Sequence, residues 1–435
     1  MSGFEISNLN KGLIVIFERK KTSDGVFFNK ITDKRFKVNQ FSVYFFTDYD
    51  ELPRADYAAA AYIMTDCCKK FPTYSALSRH LSNLYDASLS SATTFGQFDK
   101  RLTLLRSVVL DNRYALNGED LEAEMCGLLG ECILAPNAHE GEFDGIAAEL
   151  MKRELIDTID SVINDKSAYA MQNGNKTAYI GEPMELSPNG THEQAERVTA
   201  RSAYEAYRRI PERGHVEIFA AGSGDFAAAE EILAGMFKNV PRNNICELTV
   251  APSVLKPKTV YVSDKLPMQQ AILRMYFKAP EFSDRYAFSM LSMILGGMTT
   301  SRFFMNIREK QSLCYYCACT SHRSKRVLTA YAGVEPQNIK RTEEAILSEI
   351  EDIRQNGVTE EELETARLEI GNQISTLYDS ATALIGWHVN QITDEKILSP
   401  EEYLAEIAKV DPARIQAAAK ALSLDTVYTL SGEDS

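Results

Sequence analysis

The stretch LGGMTTSRFFMNIREKQSLCYY, residues Leu295–Tyr316, decides the fold assignment. Its glycine pair permits close approach between packed backbones, and Thr299 or Thr300 can cap a following helix. That helix is expected to end near Arg308, and Tyr315 then enters a strand. A helix end and a strand start at this spacing could aim a guanidinium and a phenol into one cleft. Spacing alone, however, favours a solvated arginine and a tyrosine at the edge of the core.

Working outward, the same order of elements occurs in the first half of the chain, which indicates an internal repeat. There the strand FSVYFF precedes a charged turn, Tyr57, an alanine-rich helix, a second helix and LYDASLSSATT. In the second half, AILRMYF precedes Tyr286, a helix, the glycine turn, a second helix and LCYYCACTS. Tyr57 and Tyr85 are 28 positions apart, and Tyr286 and Tyr315 are 29 apart. The chain therefore contains two copies of one mixed unit.

Chain length and composition agree with two domains. The protein has 435 residues, of which 45% are hydrophobic and 25% are charged, as in soluble globular proteins. We predict an α+β fold of two homologous domains, each an antiparallel sheet packed against helices. The predicted domains are residues 1–210 and 211–435.

Four local predictions affect where the domains divide. Leu13–Phe17 is expected to form a short buried strand, and Phe143–Ile163 a long helix. The glycine, proline and asparagine residues of Gly174–His192 favour a loop. The helix around Ala195–Arg209 is expected to end before Pro211, because proline cannot donate the next helical hydrogen bond.

The charge balance excludes one class of partner. A formal net charge of −14 and a pI of about 5.1 argue against a nucleic-acid-binding protein, which needs clustered lysine and arginine. Met1–Asn10 lacks the basic and apolar regions of a signal peptide, and no window is apolar enough to cross a membrane. We therefore expect a cytoplasmic protein without a membrane partner.

The spacing of the cysteines and histidines does not predict a metal site. Cys314, Cys317 and Cys319 lie in a predicted strand of small and aromatic residues, and no second pair occurs at zinc-finger spacing, so buried core thiols are expected. No two of the six histidines lie within five residues of each other, so neither His-Glu-x-x-His nor His-x-x-Glu-His occurs. A Gly-x-Ser-x-Gly elbow is also absent. The histidines are His80, His139, His192, His215, His322 and His388.

The motif LGGMTTSRFF followed by REKQSLCYY resembles the C-terminal-domain signature of M16 peptidases, the insulinase-like and mitochondrial-processing-peptidase-like family. The stretches FKVNQFSVYFF, FPTYSALSRHLSNLYDASLS and NDKSAYA extend the resemblance over nearly the whole chain. It is greatest to bacterial members that are encoded as unequal pairs. The resemblance implies a clamshell half built from α+β layers, in which extended peptides add to a sheet edge.

The resemblance also implies that the catalytic zinc site is degenerate. In active members the first domain carries His-x-x-Glu-His on a helix, and alignment through FPTYSAL places that motif at Ala58–Tyr62. Ala58 would replace one histidine, Ala61 the general-base glutamate and Tyr62 the other histidine. The third ligand would fall at Glu149 or Glu154, and either carboxylate alone would not hold zinc.

The substrate-holding positions are retained by the same alignment. Arg308 would hold the substrate backbone, and Tyr315 would donate a hydrogen bond to the oxyanion. The resulting hypothesis is a non-catalytic, substrate-positioning subunit of a heterodimeric zinc peptidase, with no cofactor of its own and with zinc in a partner that carries His-x-x-Glu-His. The alternative is a pure binding or scaffold protein in which Arg308 and Tyr315 are relics. A third hypothesis is a peptidase with an unrecognised site.

Overall fold

A computed structural model describes residues 16–95 and 98–432. The strands are β1 (Ile16–Ser23), β2 (Val26–Thr32), β3 (Val38–Thr47), β4 (Ser88–Phe95), β5 (Arg101–Leu110), β6 (Ala138–His139), β7 (Glu142–Phe143), β8 (His215–Gly222), β9 (Val260–Lys265), β10 (Ala271–Lys278), β11 (Cys314–His322), β12 (Val327–Val334) and β13 (Ser423–Ser431). The strand predicted at Leu13–Phe17 overlaps β1 at its last two residues, but its predicted burial is wrong there, because Ile16 is exposed and Phe17 only partly buried on an edge strand. Its first three residues lie outside the described part, as does Met1–Asn10.

Helices connect and cover these strands. They are α1 (Arg54–Asp66), α2 (Tyr74–Asn83), α3 (Leu121–Leu134), α4 (Gly145–Ser161), α5 (Lys166–Ala178), α6 (His192–Glu196), α7 (Ala200–Arg213), α8 (Ala227–Ala229), α9 (Arg285–Ser292), α10 (Ile339–Asn356), α11 (Glu360–Ser375), α12 (Ala381–Val389), α13 (Pro400–Ile407) and α14 (Pro412–Ala421). Short 3-10 and π-helical segments lie at Asn112–Tyr114, Val162–Asn164, Pro183–Glu185, Glu230–Ala234, Met236–Asn239, Met293–Gly297, Phe303–Lys310, Pro336–Asn338 and Thr376–Asp379.

Two sheets with one topology form the framework. Among the described residues, the first has the strand order β1-β2-β8-β3-β5-β4 and the second has the order β11-β12-β10-β13-β9. Apart from β1, the orders coincide when the second is reversed, so that β3 corresponds to β10 and β4 to β11. Each sheet is antiparallel except for one parallel pair, β2 with β8 and β9 with β13. The α+β class and the internal repeat predicted from the sequence are confirmed.

The hydrophobic pattern explains why β3 and β10 lie inside their sheets. Every residue of FSVYFF, Phe41–Phe46, is buried, and so is AILRMYF apart from a partly exposed Arg274. A continuous run of β-branched and aromatic residues fits a strand that is covered on both faces. The strand β3 pairs with β5 and β8, and β10 pairs with β12 and β13.

The chain divides into two compact units, but not at residue 210. The first comprises residues 1–160, 187–249 and 377–393, and the second comprises 161–186, 250–376 and 394–435. The predicted boundary differs because β8, which follows residue 210, pairs between β2 and β3 of the first sheet. Each unit also includes a short segment from the other half of the sequence.

The segment 161–186 belongs to the second unit because α5 packs on β10 and β13. Gly174 faces Tyr276 so closely that a Cβ atom there would lie 2.4 Å from the phenolic oxygen. The Tyr276 hydroxyl donates to Asn175 Oδ1 at 3.1 Å.

Two local predictions next to α5 are wrong. The loop predicted at Gly174–His192 is wrong over its first five residues, because α5 continues to Ala178. The end predicted for the next helix is also wrong, since α7 includes Pro211 in its last turn.

A buried ionic network anchors the same segment. Lys325 Nζ lies 2.7 Å from Glu182 Oε2, and Lys278 Nζ lies 3.4 Å from Asp425 Oδ2. The Lys278 ammonium also donates to the carbonyl of Val254 at 2.7 Å. Buried charges need such partners, because removing an ion from water is costly unless it is paired and hydrogen-bonded.

No described helix is both long and apolar enough for a membrane span.

Candidate functional site

The first candidate region is the helix α1, where the zinc motif of active relatives would lie. The helix starts after Pro53 and contains four consecutive alanines, the residue with the highest helix propensity. Small side chains let α1 pack closely against β4 and α7. Ala58 is 0% exposed and Ala61 is 1% exposed. The sequence of this helix therefore serves packing.

Zinc does not fit the side chains that α1 provides. The methyl groups of Ala58 and Ala61 have no lone pair to give a metal, and zinc sites in proteins are built from Cys, His, Asp and Glu. Tyr62 is half-buried, and its pKa is raised by burial and by the charge of Glu154, which keeps the phenol protonated. Among residues 16–95 and 98–432, no three Cys, His, Asp or Glu side chains form a group that could hold a metal ion.

The structure distinguishes the two carboxylates that the sequence left open. The charge of Glu154 on α4 reaches both Tyr62 and Asp66 on α1 and raises their pKa values. Glu149, one turn earlier, is exposed and accepts a hydrogen bond from Arg153 Nε at 3.2 Å. Of the two carboxylates, Glu154 is therefore the one whose charge acts on α1.

Sequence reasoning missed Asp66, the last residue of α1. Burial, and secondarily the charge of Glu154, raise the pKa of its carboxyl from 3.8 to about 6. One residue before it, the Thr65 hydroxyl lies 3.0 Å from the Ser91 hydroxyl on the edge strand β4. Asp66 can therefore exchange a proton near neutral pH, and burial and, secondarily, the charge of Asp66 raise the pKa of the neighbouring Cys67 thiol. The run of apolar residues before Asp66 was the only sequence signal of its burial.

His80 would be a candidate metal ligand if the zinc motif did not align with Ala58–Tyr62. Its ring stacks on Phe71 with centroids 4.4 Å apart, and its Nε2 lies 3.3 Å from Glu124 Oε1. The imidazole is therefore engaged in a local contact between α2 and α3.

The second candidate region is the segment Leu295–Tyr316. A Cβ atom on Gly296 would lie 2.5 Å from the backbone nitrogen of Cys319 and 2.8 Å from the carbonyl carbon of Ala318. The close approach predicted for the glycine pair is thus confirmed, and it sets the helical segment Met293–Gly297 directly on β11. The prediction that Thr299 or Thr300 caps the next helix is wrong, because that helix starts after Arg302 without a side-chain cap.

Arg302 anchors the helix Phe303–Lys310 instead. Its guanidinium donates to both carboxylate oxygens of Glu362, at 2.6 and 3.0 Å, and to Asp352 at 2.5 Å. Such bidentate pairs fix orientation as well as charge. The arginine of the SRFF motif is therefore structural, and it holds the residues that follow it against α10 and α11.

Arg308 lies near the end of this helix. Its side chain is 39% exposed, its Nε is 3.7 Å from Glu309 Oε1, and its guanidinium carbon lies 4.5 Å from the centroid of the Phe304 ring. The positive charge also lowers the pKa of Cys314, at the start of β11. An arginine that rests on an aromatic ring is partly ordered while its donors still face solvent.

Tyr315 occupies a bulge in β11. Cys314 pairs with Val334 and Tyr316 pairs with the next residue, Gly333, so Tyr315 is an extra residue without a partner on β12. Its side chain is 49% exposed, and its hydroxyl donates to Glu335 Oε1 at 3.3 Å. The bulge turns this tyrosine out of the core face.

Tyr316, which the sequence analysis did not single out, lies beside it. Its ring covers Gly333, where a Cβ atom would come within 2.3 Å of Cε1. In the described part of the chain β11 is an edge strand of the second sheet, and an edge strand offers free N–H and C=O groups to another chain. The segment therefore presents a guanidinium, a phenol and a backbone edge together, although Arg308 and Tyr315 each contact their own acidic partner.

Sequence comparisons identify relatives of this chain. A family model described as "Peptidase M16 inactive domain" matches residues 197–370. The Bacillus subtilis protein named "Probable inactive metalloprotease YmfF" is 24% identical over 370 residues, covering 84% of this chain and 86% of that protein. An uncharacterized zinc protease of Streptomyces coelicolor is 24% identical over 307 residues, covering 68% of this chain and 65% of that protein.

Solved structures agree on the fold. A conserved protein from Enterococcus faecalis V583 superposes with a TM-score of 0.85 at 24% identity, covering 96% of this chain and 99% of that one. A peptidase M16 inactive domain from Pseudomonas fluorescens superposes with a TM-score of 0.78 at 15% identity, covering 96% and 98%. Together with the sequence motifs and the repeated topology, these matches show that the chain is similar in sequence to peptidase M16 proteins and has the fold of the solved M16 inactive domain.

Proposed function

We propose that this chain is the non-catalytic, substrate-positioning subunit of a heterodimeric M16 zinc metallopeptidase that cleaves peptides. The zinc would be held by a partner chain that carries His-x-x-Glu-His. The observation that carries the proposal is a contrast within one chain. The positions Ala58 and Ala61 offer only buried methyl groups, whereas Arg308 at a helix end and Tyr315 in an edge strand remain accessible.

The chemistry assigned to this chain is binding and orientation. An extended peptide would add to the free edge of β11 through backbone hydrogen bonds. Arg308 would hold a peptide carbonyl, and the Tyr315 hydroxyl would turn from Glu335 to the negatively charged oxygen that develops on the scissile carbonyl. The existing hydrogen bond to Glu335 is long, at 3.3 Å, and exposed, so that little is lost when the phenol leaves it.

The free thiols support a cytoplasmic location. All eight cysteines are free, which is typical of proteins in a reducing environment. We therefore place the assembly in the cytoplasm.

The test is reconstitution with a partner. The chain is expected to co-purify with an M16 chain that carries His-x-x-Glu-His, and peptide cleavage should require the mixture. Tyr315→Phe removes one donor to the developing charge and should lower kcat by about 10²–10³ with the complex intact. Arg308→Ala should lower kcat/KM because the substrate backbone is held less well.

Matched controls come from elsewhere in the second unit. Tyr261 is an exposed tyrosine on the other edge strand, β9, and its hydroxyl donates to Glu343 at 2.9 Å. Arg341 is exposed on α10. Tyr261→Phe and Arg341→Ala should leave turnover unchanged. If Tyr315→Phe and Arg308→Ala also leave turnover unchanged, the chain is a scaffold. Cleavage by this chain alone would contradict both interpretations.

A further inference from the structure

The second sheet has an opening in two of its inner strands. Arg274 is the only residue of β10 that is not buried, and Tyr331 is the only such residue of β12. The two residues are directly opposed in the antiparallel pair of β10 and β12, so their side chains share one face of the sheet. The helix α5 packs on β9, β10 and β13. The opening therefore lies between α5 and the edge strand β11.

The edge strand leaves this opening accessible from its side. Ala318 of β11 pairs with Tyr331 and offers only a methyl group. Its neighbours on the same face, Tyr316 and Thr320, are exposed. The centroids of the Tyr316 and Tyr331 rings are 6.3 Å apart, and the ring planes are inclined by 56°. Two phenol rings therefore line the opening next to Arg274.

The other face of β11 belongs to the core. Cys317 and Cys319 are buried there, which confirms the core thiols predicted from the sequence. The same prediction is wrong for Cys314, which is partly exposed because it precedes the bulge at Tyr315. Only one face of β11 is therefore available to a ligand.

Arg274 is held in place but keeps free donors. Its Nε donates to the Tyr276 hydroxyl at 3.2 Å, and that hydroxyl donates in turn to Asn175 Oδ1 at 3.1 Å. The guanidinium carbon lies 5.5 Å from the centroid of the Tyr331 ring. Among the described residues the two terminal nitrogens have no hydrogen-bond or ion-pair partner, and they are not buried. An ordered guanidinium fork with free nitrogens is suited to bind a carboxylate through two hydrogen bonds.

The missing counter-charge distinguishes Arg274 from other basic residues of the second unit. Lys278, four residues further along β10 on the same face, pairs with Asp425. Arg302 pairs with two carboxylates. The chain has 61 acidic side chains against 47 basic ones, yet none of the described acidic residues neutralises Arg274. Because a partly buried charge is stabilised by an opposite one, the free fork indicates an anion from outside the chain.

We propose that Arg274, with the rings of Tyr316 and Tyr331 as walls, forms a subsite that binds a carboxylate of the peptide substrate. The carboxylate is either the C-terminal group or an Asp or Glu side chain, since both present the same two oxygens to the guanidinium. The identification of the ligand as a substrate peptide rests on the proposed function, whereas the carboxylate site itself rests on Arg274.

The subsite receives a residue beyond the segment that pairs with β11. Neighbouring strands lie about 4.8 Å apart, so a strand added to β11 would be about 14 Å from β10, across β11 and β12. Side chains rise from a sheet rather than along it, so a paired residue would not meet Arg274. The tail of the peptide must therefore pass over β11 at Ala318. About four residues of extended chain cover that distance.

The experiment measures peptide binding to the full chain alone by titration calorimetry, so that it needs neither a partner nor peptidase activity. The probes are peptides of about ten residues, enough for a paired segment and a tail. One has a C-terminal carboxylate, one is amidated and has a single Glu near its C-terminus, and one is amidated with Gln in place of that Glu. The net charge of −14 disfavours anions in general, so a preference for a carboxylate requires a local site.

At least one of the two carboxylate peptides should bind with a Kd about tenfold or more below that of the neutral peptide, as hydrogen bonds to charged groups imply. The peptide that shows the preference identifies the source of the carboxylate. Arg274→Gln should remove the preference. Arg274→Lys should restore only part of it, because an ammonium has the charge but not the fork.

The matched control is Arg341→Gln, which removes the same charge from an exposed position on α10 and should leave the preference unchanged. Urea unfolding checks that each variant is folded, and the comparison of the three peptides on the parent chain needs no variant.

Equal binding of the three peptides to the parent chain, or binding of none of them, would overturn the proposal. A preference that persists in Arg274→Gln, or that is lost in Arg341→Gln, would overturn it as well. The proposed function fails by a different result, namely no cleavage when the chain is mixed with its partner, and that result does not affect the binding measurement.

Discussion

The ring of Tyr316 rests on Gly333, and a single added carbon at Gly333 would lie 2.3 Å from Tyr316 Cε1. The two residues face each other across β11 and β12 at the point where the bulge at Tyr315 begins. Because Gly333 has no side chain, the Tyr316 ring can lie directly on it. This contact fixes the position of Tyr316 in the edge strand, next to the candidate substrate-binding residue Tyr315.

Gly333→Ala should therefore displace Tyr316 and destabilise the second unit by about 1–3 kcal/mol, as overpacking does in other cores. Gly371→Ala is the control, because nothing lies within 4 Å of a Cβ atom at this helical position. That change should be neutral or stabilising, since alanine has the higher helix propensity. Urea unfolding of both variants measures the difference, and equal stabilities would argue against the close contact.

Restoring the family motif on α1 tests which carboxylate faces it. The triple variant Ala58→His, Ala61→Glu, Tyr62→His should bind zinc, because two imidazoles would then lie one helical turn apart and the charge of Glu154 already acts on position 62. Adding Glu154→Gln should abolish binding, whereas adding Glu149→Gln should not. Zinc retained with Glu154→Gln but lost with Glu149→Gln would reverse our choice between the two carboxylates.

Asp66→Asn should stabilise the protein above neutral pH. The carboxyl has a pKa of about 6 in the folded chain and an ordinary value of 3.8, so ionisation costs stability as pH rises through about 6. Asparagine removes that cost, which we expect to be about 1 kcal/mol after allowance for solvent screening at this partly exposed side chain. Parent and variant should converge below about pH 4. A stability difference independent of pH would show that the carboxyl does not titrate as assigned.

Asp425→Asn should have the opposite pH dependence. Burial opposes ionisation, but hydrogen bonds from Lys256 hold the pKa of Asp425 below its ordinary value. Its contribution is therefore present above about pH 4 and is lost as pH falls through the folded pKa. Near neutrality the substitution leaves Lys278 without this buried partner and should cost about 3–5 kcal/mol. Glu344→Gln, at an exposed pair with Lys340, is the control and should change stability little.

The sequence predicted the features that depend on local pattern. The strands FSVYFF and AILRMYF and the close approach at Gly296 follow from residue type and spacing, and the structure confirms them. The repeat was visible for the same reason, because corresponding elements keep their order and approximate distance along the chain.

Features that depend on pairing between distant residues could not be predicted. Nothing near residue 210 shows that β8 will insert between β2 and β3, so the domain boundary was misplaced. The bulge at Tyr315 adds one residue to an otherwise ordinary strand and leaves no mark in the alternation. Glu149 and Glu154 are five residues apart, about 140° around a helix, and only the packed structure shows which one acts electrostatically on α1.

The most direct test of the central claim is the zinc content of the purified, dialysed chain, measured by elemental analysis together with peptide cleavage. The account predicts almost no zinc and no cleavage, because Ala58, Ala61 and Tyr62 provide no metal ligands. Stoichiometric zinc with cleavage that a chelator abolishes would contradict it, and would mean that this chain carries a catalytic site of its own.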